Sequence, residues 1–185
     1  VKPTCVQADP ARGLLYCCSG AAFNVIDGKT LKKSKKTFNF PLKKSSYITC
    51  IKMFGPFIWC GSSEGKLYVY NPVTEKIKEL RVTDEPSSIL SMDFIETETT
   101  SVIYVSTETQ KEHRLNIGTI RVKDGKENEL KEIIWKSKKF EMPITCVSCV
   151  SKNRLWIGFL GKIWILNVEE NTFFKRISLK HLSDR

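Results

Sequence analysis

Cys146-Val147-Ser148-Cys149 has the Cys-x-x-Cys spacing used by zinc sites and thiol redox centres. Zinc needs two further ligands at suitable spacing, and a redox pair needs a helix N-terminus to lower one thiol's pKa. The pair instead sits in an apolar, strand-like run, where residues three apart face opposite sides of a sheet, so the two thiols are expected to diverge. Cys17 and Cys18, as neighbours in a strand, are expected to diverge as well. The segment Gly61-Ser62-Ser63-Glu64-Gly65-Lys66-Leu67 approaches a phosphate-binding loop. It has three residues between its glycines where four are required, and Leu67 stands where Ser or Thr would meet magnesium. A strand-like run follows it, so it reads as a hairpin. Histidine is the commonest base near neutral pH, and the chain has two, His113 in the polar stretch Thr109 to Arg114 and His181 in the tail. Both are expected at the surface without catalytic duty. Glu96, Glu98, Glu108 and Glu112 cluster with threonines and read as solvated loop residues, because a catalytic carboxylate pair needs a cleft and perturbed pKa values. No Gly-x-Ser-x-Gly, His-Glu-x-x-His or Gly-x-Gly-x-x-Gly motif occurs. The expectation is a chain with no catalytic residue, no metal site and no cofactor.

Charge is the more pointed signal. Thirty Lys and Arg stand against 20 Asp and Glu, a formal charge of +10, and the stretch from Gly28 to Ser63 holds eight lysines and no acidic residue. Lys32, Lys33, Lys35 and Lys36 fall on an outer strand of the first repeat, and Lys43 and Lys44 fall in the connection after it. Such a rim attracts anionic lipid heads, nucleic-acid phosphates or an acidic protein surface, each weakened by salt. Lysines also protect exposed strand edges from mispairing. The run contains no Arg, and Phe38 and Phe40 alternate as core residues do, which argues against nucleic acid.

The elements that must carry these residues follow from an internal repeat. The chain has 185 residues with 41% apolar and 27% charged, enough for a buried core, and no apolar run approaches the roughly 20 residues of a membrane-crossing helix. Thr4-Cys5-Val6 recurs as Thr49-Cys50-Ile51 and Thr145-Cys146-Val147, with Ser88-Ile89-Leu90-Ser91 in the corresponding place between. Each start leads to an aromatic-bearing run around Tyr16, Trp59, Tyr104 or Trp156, and then to a third run. Turn formers close that third run at Asp27-Gly28, Asn71-Pro72, Asp124-Gly125 and Glu169-Glu170-Asn171, and a more polar fourth run follows. A twisted four-stranded sheet cannot bury both faces alone, so units of this length stack radially. The expected architecture is all-β, a propeller of about four four-stranded blades over 1–44, 45–84, 85–138 and 139–185, and part of a larger ring. A β-sandwich is the competing reading. Register with the other repeats makes residues 126–139 a strand rather than a helix.

The odd number of cysteines, seven, inside apolar runs favours buried free thiols, and with no Asn-x-Ser/Thr acceptor a reducing cytosol is expected. The chain opens at Val1 and ends in mid-pattern at Arg185, and so is expected to be a piece of a longer protein.

Ile58 to Asn71 and Leu155 to Asn167 resemble blades of divergent WD40-like propellers, most nearly the C-terminal propeller of leucine-rich-repeat kinases of the Roco group. Propellers of Rho guanine-nucleotide exchange factors and citron-homology propellers look similar. All four repeats take part. The Gly-His of a standard blade is missing, and Ile26-Asp27, Tyr70-Asn71 and Leu166-Asn167 occupy the Trp-Asp place, so packing must replace the usual buried His network. The resemblance implies a noncatalytic scaffold in a larger cytosolic signalling protein, a kinase or small-GTPase regulator. Its expected partners are proteins, a second copy, or further blades that complete the ring. An anionic-membrane surface on Lys32, Lys33, Lys35, Lys36, Lys43 and Lys44 is the alternative.

Overall fold

A computed structural model describes residues 4–96, 100–123 and 126–178, with 34–36, 121–123 and 126–131 described by their backbone alone. Glu98, His181, the Asp124-Gly125 turn and the side chains of Lys35 and Lys36 lie outside the described residues.

Every element among the described residues is a strand, and each sheet is an antiparallel meander of four in chain order. The first sheet comprises β1 (Cys5–Asp9), β2 (Leu14–Ser19), β3 (Ala22–Asp27) and β4 (Lys33–Asn39). The second comprises β5 (Ile48–Phe54), β6 (Phe57–Ser62), β7 (Lys66–Asn71) and β8 (Lys76–Arg81). The third is β9 (Ser88–Glu96), β10 (Ser101–Glu108), β11 (His113–Lys123) and β12 (Lys126–Phe140). The fourth is β13 (Ile144–Ser151), β14 (Arg154–Phe159), β15 (Lys162–Asn167) and β16 (Thr172–Ser178). The chain divides into two compact units, Val1–Ile89 and Leu90–Arg185.

The second and third strands of all four sheets share two rungs. In the first rung an aromatic faces a β-branched residue: Tyr16 opposite Val25, Trp59 opposite Val69, Tyr104 opposite Ile117, Trp156 opposite Ile165. Two residues on, a small side chain faces a large one: Cys18 opposite Phe23, Gly61 opposite Leu67, Ser106 opposite Leu115, Gly158 opposite Ile163. Cross-strand pairs of these kinds stabilise a sheet face, and the small residue leaves a hollow on it. The hollow is filled in the first unit, where a Cβ on Gly61 would meet the Ile89 side chain at 2.6 Å and the Cys50 sulfur at 2.7 Å.

In the first unit these rungs pack on the opposite face of the next sheet. Tyr16, Cys18 and Phe23 join Ile51, Ile58, Cys60, Tyr68 and Tyr70 in one core. Its rings interlock, with Phe23 centred 5.6 Å from Tyr16, 5.8 Å from Phe40 and 5.1 Å from Tyr70. The second unit repeats the scheme with Tyr104 and Leu115 against Val147, Leu155, Ile157 and Leu166.

Where the third strand ends, an Asx residue organises the turn to the outer strand. Asp27 Oδ1 accepts from the N–H groups of Lys29 and Thr30, Asn71 Oδ1 from those of Val73 and Thr74, and Asn167 Oδ1 from those of Glu169 and Glu170. Four residues beyond each stands a non-glycine residue in the left-handed region, Leu31 (φ 55°), Glu75 (φ 58°) and Asn171 (φ 51°). The Asp or Asn in the Trp-Asp place is therefore a turn former here.

Candidate functional site

The residues with suggestive chemistry are dispersed. Cys146 is exposed and Cys149 is partly buried against the second unit's core, so the Cys-x-x-Cys thiols diverge. Gly61 to Lys66 is the β6–β7 hairpin, with Gly65 at φ +76°. His113 is not in a loop; it opens β11 with its Nδ1 3.3 Å from Glu108 Oε1. Glu112 is held by Lys139 and Arg114, and those cations keep its carboxyl below the usual range. Among the described residues no group of three or more His, Cys, Asp or Glu is placed to hold a metal ion.

One assembly escaped the sequence. Cys18 and Cys60 lie in the core between the first two sheets with Cys5 packed against it, and Cys50 is nearby. The neighbouring Cys18 and burial push the Cys5 thiol up. Cys18 is eased by Cys5, but Cys60 and burial outweigh that and raise it too. Burial lifts Cys60 and pushes Cys50 up to about 12. Thiols held in this way are poor nucleophiles, and the group behaves as core.

The basic residues divide by position along β4. Lys32 and Lys33 are exposed at its start, whereas Lys43 and Lys44 are exposed in the connection beyond its end. At roughly 3.3 Å per residue, the seven residues of β4 put about 20 Å between those groups, more than a physiological Debye length.

Lys43 instead borders a concavity of the first unit, a cavity of about 480 Å³. Three stretches of chain form it: Pro41, Lys43 and Ser46 after the first sheet, Ser63 to Lys66 at the β6–β7 turn, and Arg81 to Pro86 after the second sheet. Its frame is rigid. The Lys43 N–H donates to Glu64 Oε1 at 2.6 Å, the Tyr47 N–H to Ser63 Oγ at 3.1 Å, and the Ser63 N–H to the Tyr47 carbonyl at 3.0 Å. Thr83 Oγ1 donates to the Glu85 carbonyl at 2.8 Å and lies 2.9 Å from Ser87 Oγ. A Cβ on Gly65 would stand 2.5 Å from the Ser87 carbonyl oxygen, so only glycine fits. Partial burial would lift the Glu64 carboxyl, but the Ser46 hydroxyl, the Lys43 N–H and the nearby ammonium groups outweigh it and hold the group ionised below the usual range. Lys66 pairs with Glu79 at 3.0 Å. Among the described residues the side chains of Lys43, Arg81, Asp84 and Glu85 form no ion pair, so the rim offers two cations and two carboxylates to solvent.

At the level of sequence no family model and no curated protein matches the chain. Solved structures do match it. The WD40 domain of Neurospora crassa Pan2 superposes with a TM-score of 0.70 at 15% identity, over 95% of this chain and 49% of that one. BBS1N in complex with ARL6DN superposes with a TM-score of 0.67 at 13% identity, over 96% of this chain and 52% of that one. The fold is that of a WD40-type β-propeller. The chain spans about half the length of these propeller neighbours. Loops at the ends of propeller blades ride on a rigid scaffold, which is the setting of the Lys43–Arg81 cavity.

Proposed function

We propose that the chain is a noncatalytic docking module of a larger cytosolic regulatory protein, and that the cavity bordered by Lys43, Glu64, Arg81 and Asp84 receives a polar segment of a partner protein. The observation that carries this reading is the pre-ordered frame. The first two connections are tied to each other by hydrogen bonds from the Lys43 and Tyr47 N–H groups to the Glu64 and Ser63 side chains, and the third is braced within itself by Thr83, while two cations and two carboxylates on the rim stay unengaged. Preorganisation removes much of the ordering cost of binding, and a mixed-charge rim selects a segment of complementary pattern. BBS1N, seen holding another protein, supports a partner-binding role for this architecture. The resemblance of the Trp59 and Trp156 repeats to Roco-kinase and exchange-factor propellers supports a host concerned with kinase or small-GTPase regulation.

The test is crosslinking mass spectrometry in a cytosolic extract, comparing the wild type with a Lys43→Glu, Arg81→Glu double variant that keeps the wild-type circular dichroism spectrum. Partners crosslinked near residues 41–46 and 81–86 are expected to disappear in the variant. An unchanged set of partners would remove this cavity as the docking site.

A further inference from the structure

The Lys43–Ser46 turn carries both a recognition pattern and a mechanical role. The Ser46 N–H donates to the Lys43 carbonyl at 2.9 Å and closes the turn, which leaves Lys43, Lys44 and Ser45 exposed and Ser46 half-buried. Two lysines therefore stand in solvent at the third and second positions before Ser46, in a stretch from Gly28 to Ser63 that holds no acidic residue. Enzymes that phosphorylate serine read charge patterns of this kind, and an acidic substrate groove selects basic residues just before the acceptor. On its inner side the same turn forms the part of the cavity wall that meets Glu64. Ser46 and Glu64 both line the cavity, where the Ser46 hydroxyl and the Lys43 N–H, the latter 2.6 Å from Glu64 Oε1, keep the Glu64 carboxyl ionised. A hydroxyl and an N–H three residues apart thus bear on one carboxylate. The next residue, Tyr47, continues the wall through its N–H to Ser63 Oγ.

We infer that Ser46 is a phosphorylation site, and that a phosphate there shuts the cavity to its partner segment by driving the Lys43–Ser46 turn away from Glu64. In the transfer the Ser46 Oγ takes the terminal phosphoryl group of ATP. The Oγ–P bond forms, the bond from that phosphorus to the ADP leaving group breaks, and the hydroxyl proton passes to a base of the kinase. The ester removes the hydroxyl as a donor and puts about two negative charges beside a carboxylate that is already ionised. Asp84 and Glu85, on another wall of the cavity, add to the repulsion, while Lys66 is already held by Glu79. Lys43 and Arg81, the unengaged cations of the rim, are drawn to the phosphate and are then no longer open to a partner. Docking loses its ordered frame and its cations together. Ser45 does not line the cavity, so a phosphate at that position leaves the hold on Glu64 intact. The regulatory consequence rests on the docking reading, whereas the acceptor itself stands on the turn alone.

The test incubates the folded chain with ATP and cAMP-dependent protein kinase, a serine kinase that reads two basic residues in those positions, and maps the product by mass spectrometry. Phosphate is expected on Ser46, and Lys44→Glu, at a residue outside the cavity lining, is expected to slow its incorporation by about tenfold. Amide hydrogen exchange at Lys43 and Tyr47 is expected to speed up by about tenfold in the phosphorylated chain, as the hydrogen bonds to Glu64 and Ser63 open. In Glu64→Gln the phosphate meets no charge at that place, and the increase is expected to shrink. Phosphate on Ser45 alone, incorporation only after unfolding, or exchange at Lys43 and Tyr47 that is the same with and without phosphate would each overturn the inference. Crosslinking in the extract separates it from the docking reading. Partners that vanish both from the phosphorylated chain and from the Lys43→Glu, Arg81→Glu variant support the two together. Partners that vanish only from the variant overturn the regulation and leave the docking site standing. Partners that survive in the variant remove the docking site, and the regulatory consequence falls with it.

Discussion

The seams inside the two units solve one problem with different chemistry. In the first, sheet meets sheet through rings and thiols: Phe23 lies among Tyr16, Phe40 and Tyr70, and Cys5, Cys18 and Cys60 pack beside them. In the second, side chains of β9 bond directly to the backbone of β13. Ser91 Oγ accepts from the Val147 N–H at 3.2 Å, and Asp93 Oδ2 accepts from the Cys149 N–H at 2.9 Å, with Asp93 only 8% exposed. A standard blade would hold such places with its buried histidine network. This chain divides that work between contact area in one unit and directional polar bonds in the other. Packing of the first kind tolerates small shifts, whereas a buried acceptor aligned on one N–H fixes register and leaves a costly unpaired group if it is lost.

The comparison breaks most sharply at Phe23. Phe23→Ala removes the ring on which the first seam centres, and the expected loss is about 3–5 kcal/mol, read from the midpoint of urea unfolding. A loss under about 1 kcal/mol would mean that the seam does not depend on its rings. Asp93→Ala tests the second seam by removing the acceptor of the Cys149 N–H, with an expected loss of about 1–3 kcal/mol, while Asp93→Asn keeps an acceptor and recovers most of it. Equal losses for the two variants would show that charge rather than the hydrogen bond holds β9 to β13.

The smallest effect is a pH dependence confined to the first unit. Burial of Asp9 works against ionisation, but the Arg12 side chain and N–H and the Tyr16 hydroxyl overcome it and lower the carboxyl below its ordinary value of 3.8. A depressed folded-state pKa contributes stability that is present above the unfolded value and is lost as pH falls through the folded one. Arg12→Ala is expected to cost about 1 kcal/mol at neutral pH and to flatten the decline in stability below pH 4. A wild-type decline unchanged in that variant would assign the acid sensitivity to other carboxylates.

The sheets were legible because their signals are local. The Thr-Cys-aliphatic starts, the tryptophans preceding Gly61 and Gly158, and the Asp or Asn at 27, 71 and 167 recur in register, and that register made residues 126–139 a strand despite their helical composition. The candidate docking cavity was only partly legible, since it joins residues near 43, 64 and 83 that become neighbours only when two sheets stack. The lysine run drew attention to Lys43, but charge counting merged positions that β4 holds at its two ends. Asp93 was hidden inside the apolar run Ser91-Met92-Asp93-Phe94-Ile95, where nothing marks a carboxylate as a bond to another strand. Cys5, Cys18 and Cys60 were read one at a time for the same reason.

The pairing of a small residue with a large one recurs at the same step of all four sheets, so the repeat sets the shape of each face while the seam chemistry varies from one joint to the next. A repeat moved to another place would bring a face of the right relief but would need partners for its own rings or its own buried acceptors. Shape is the part of the joint that is shared, and bonding is the part that is local.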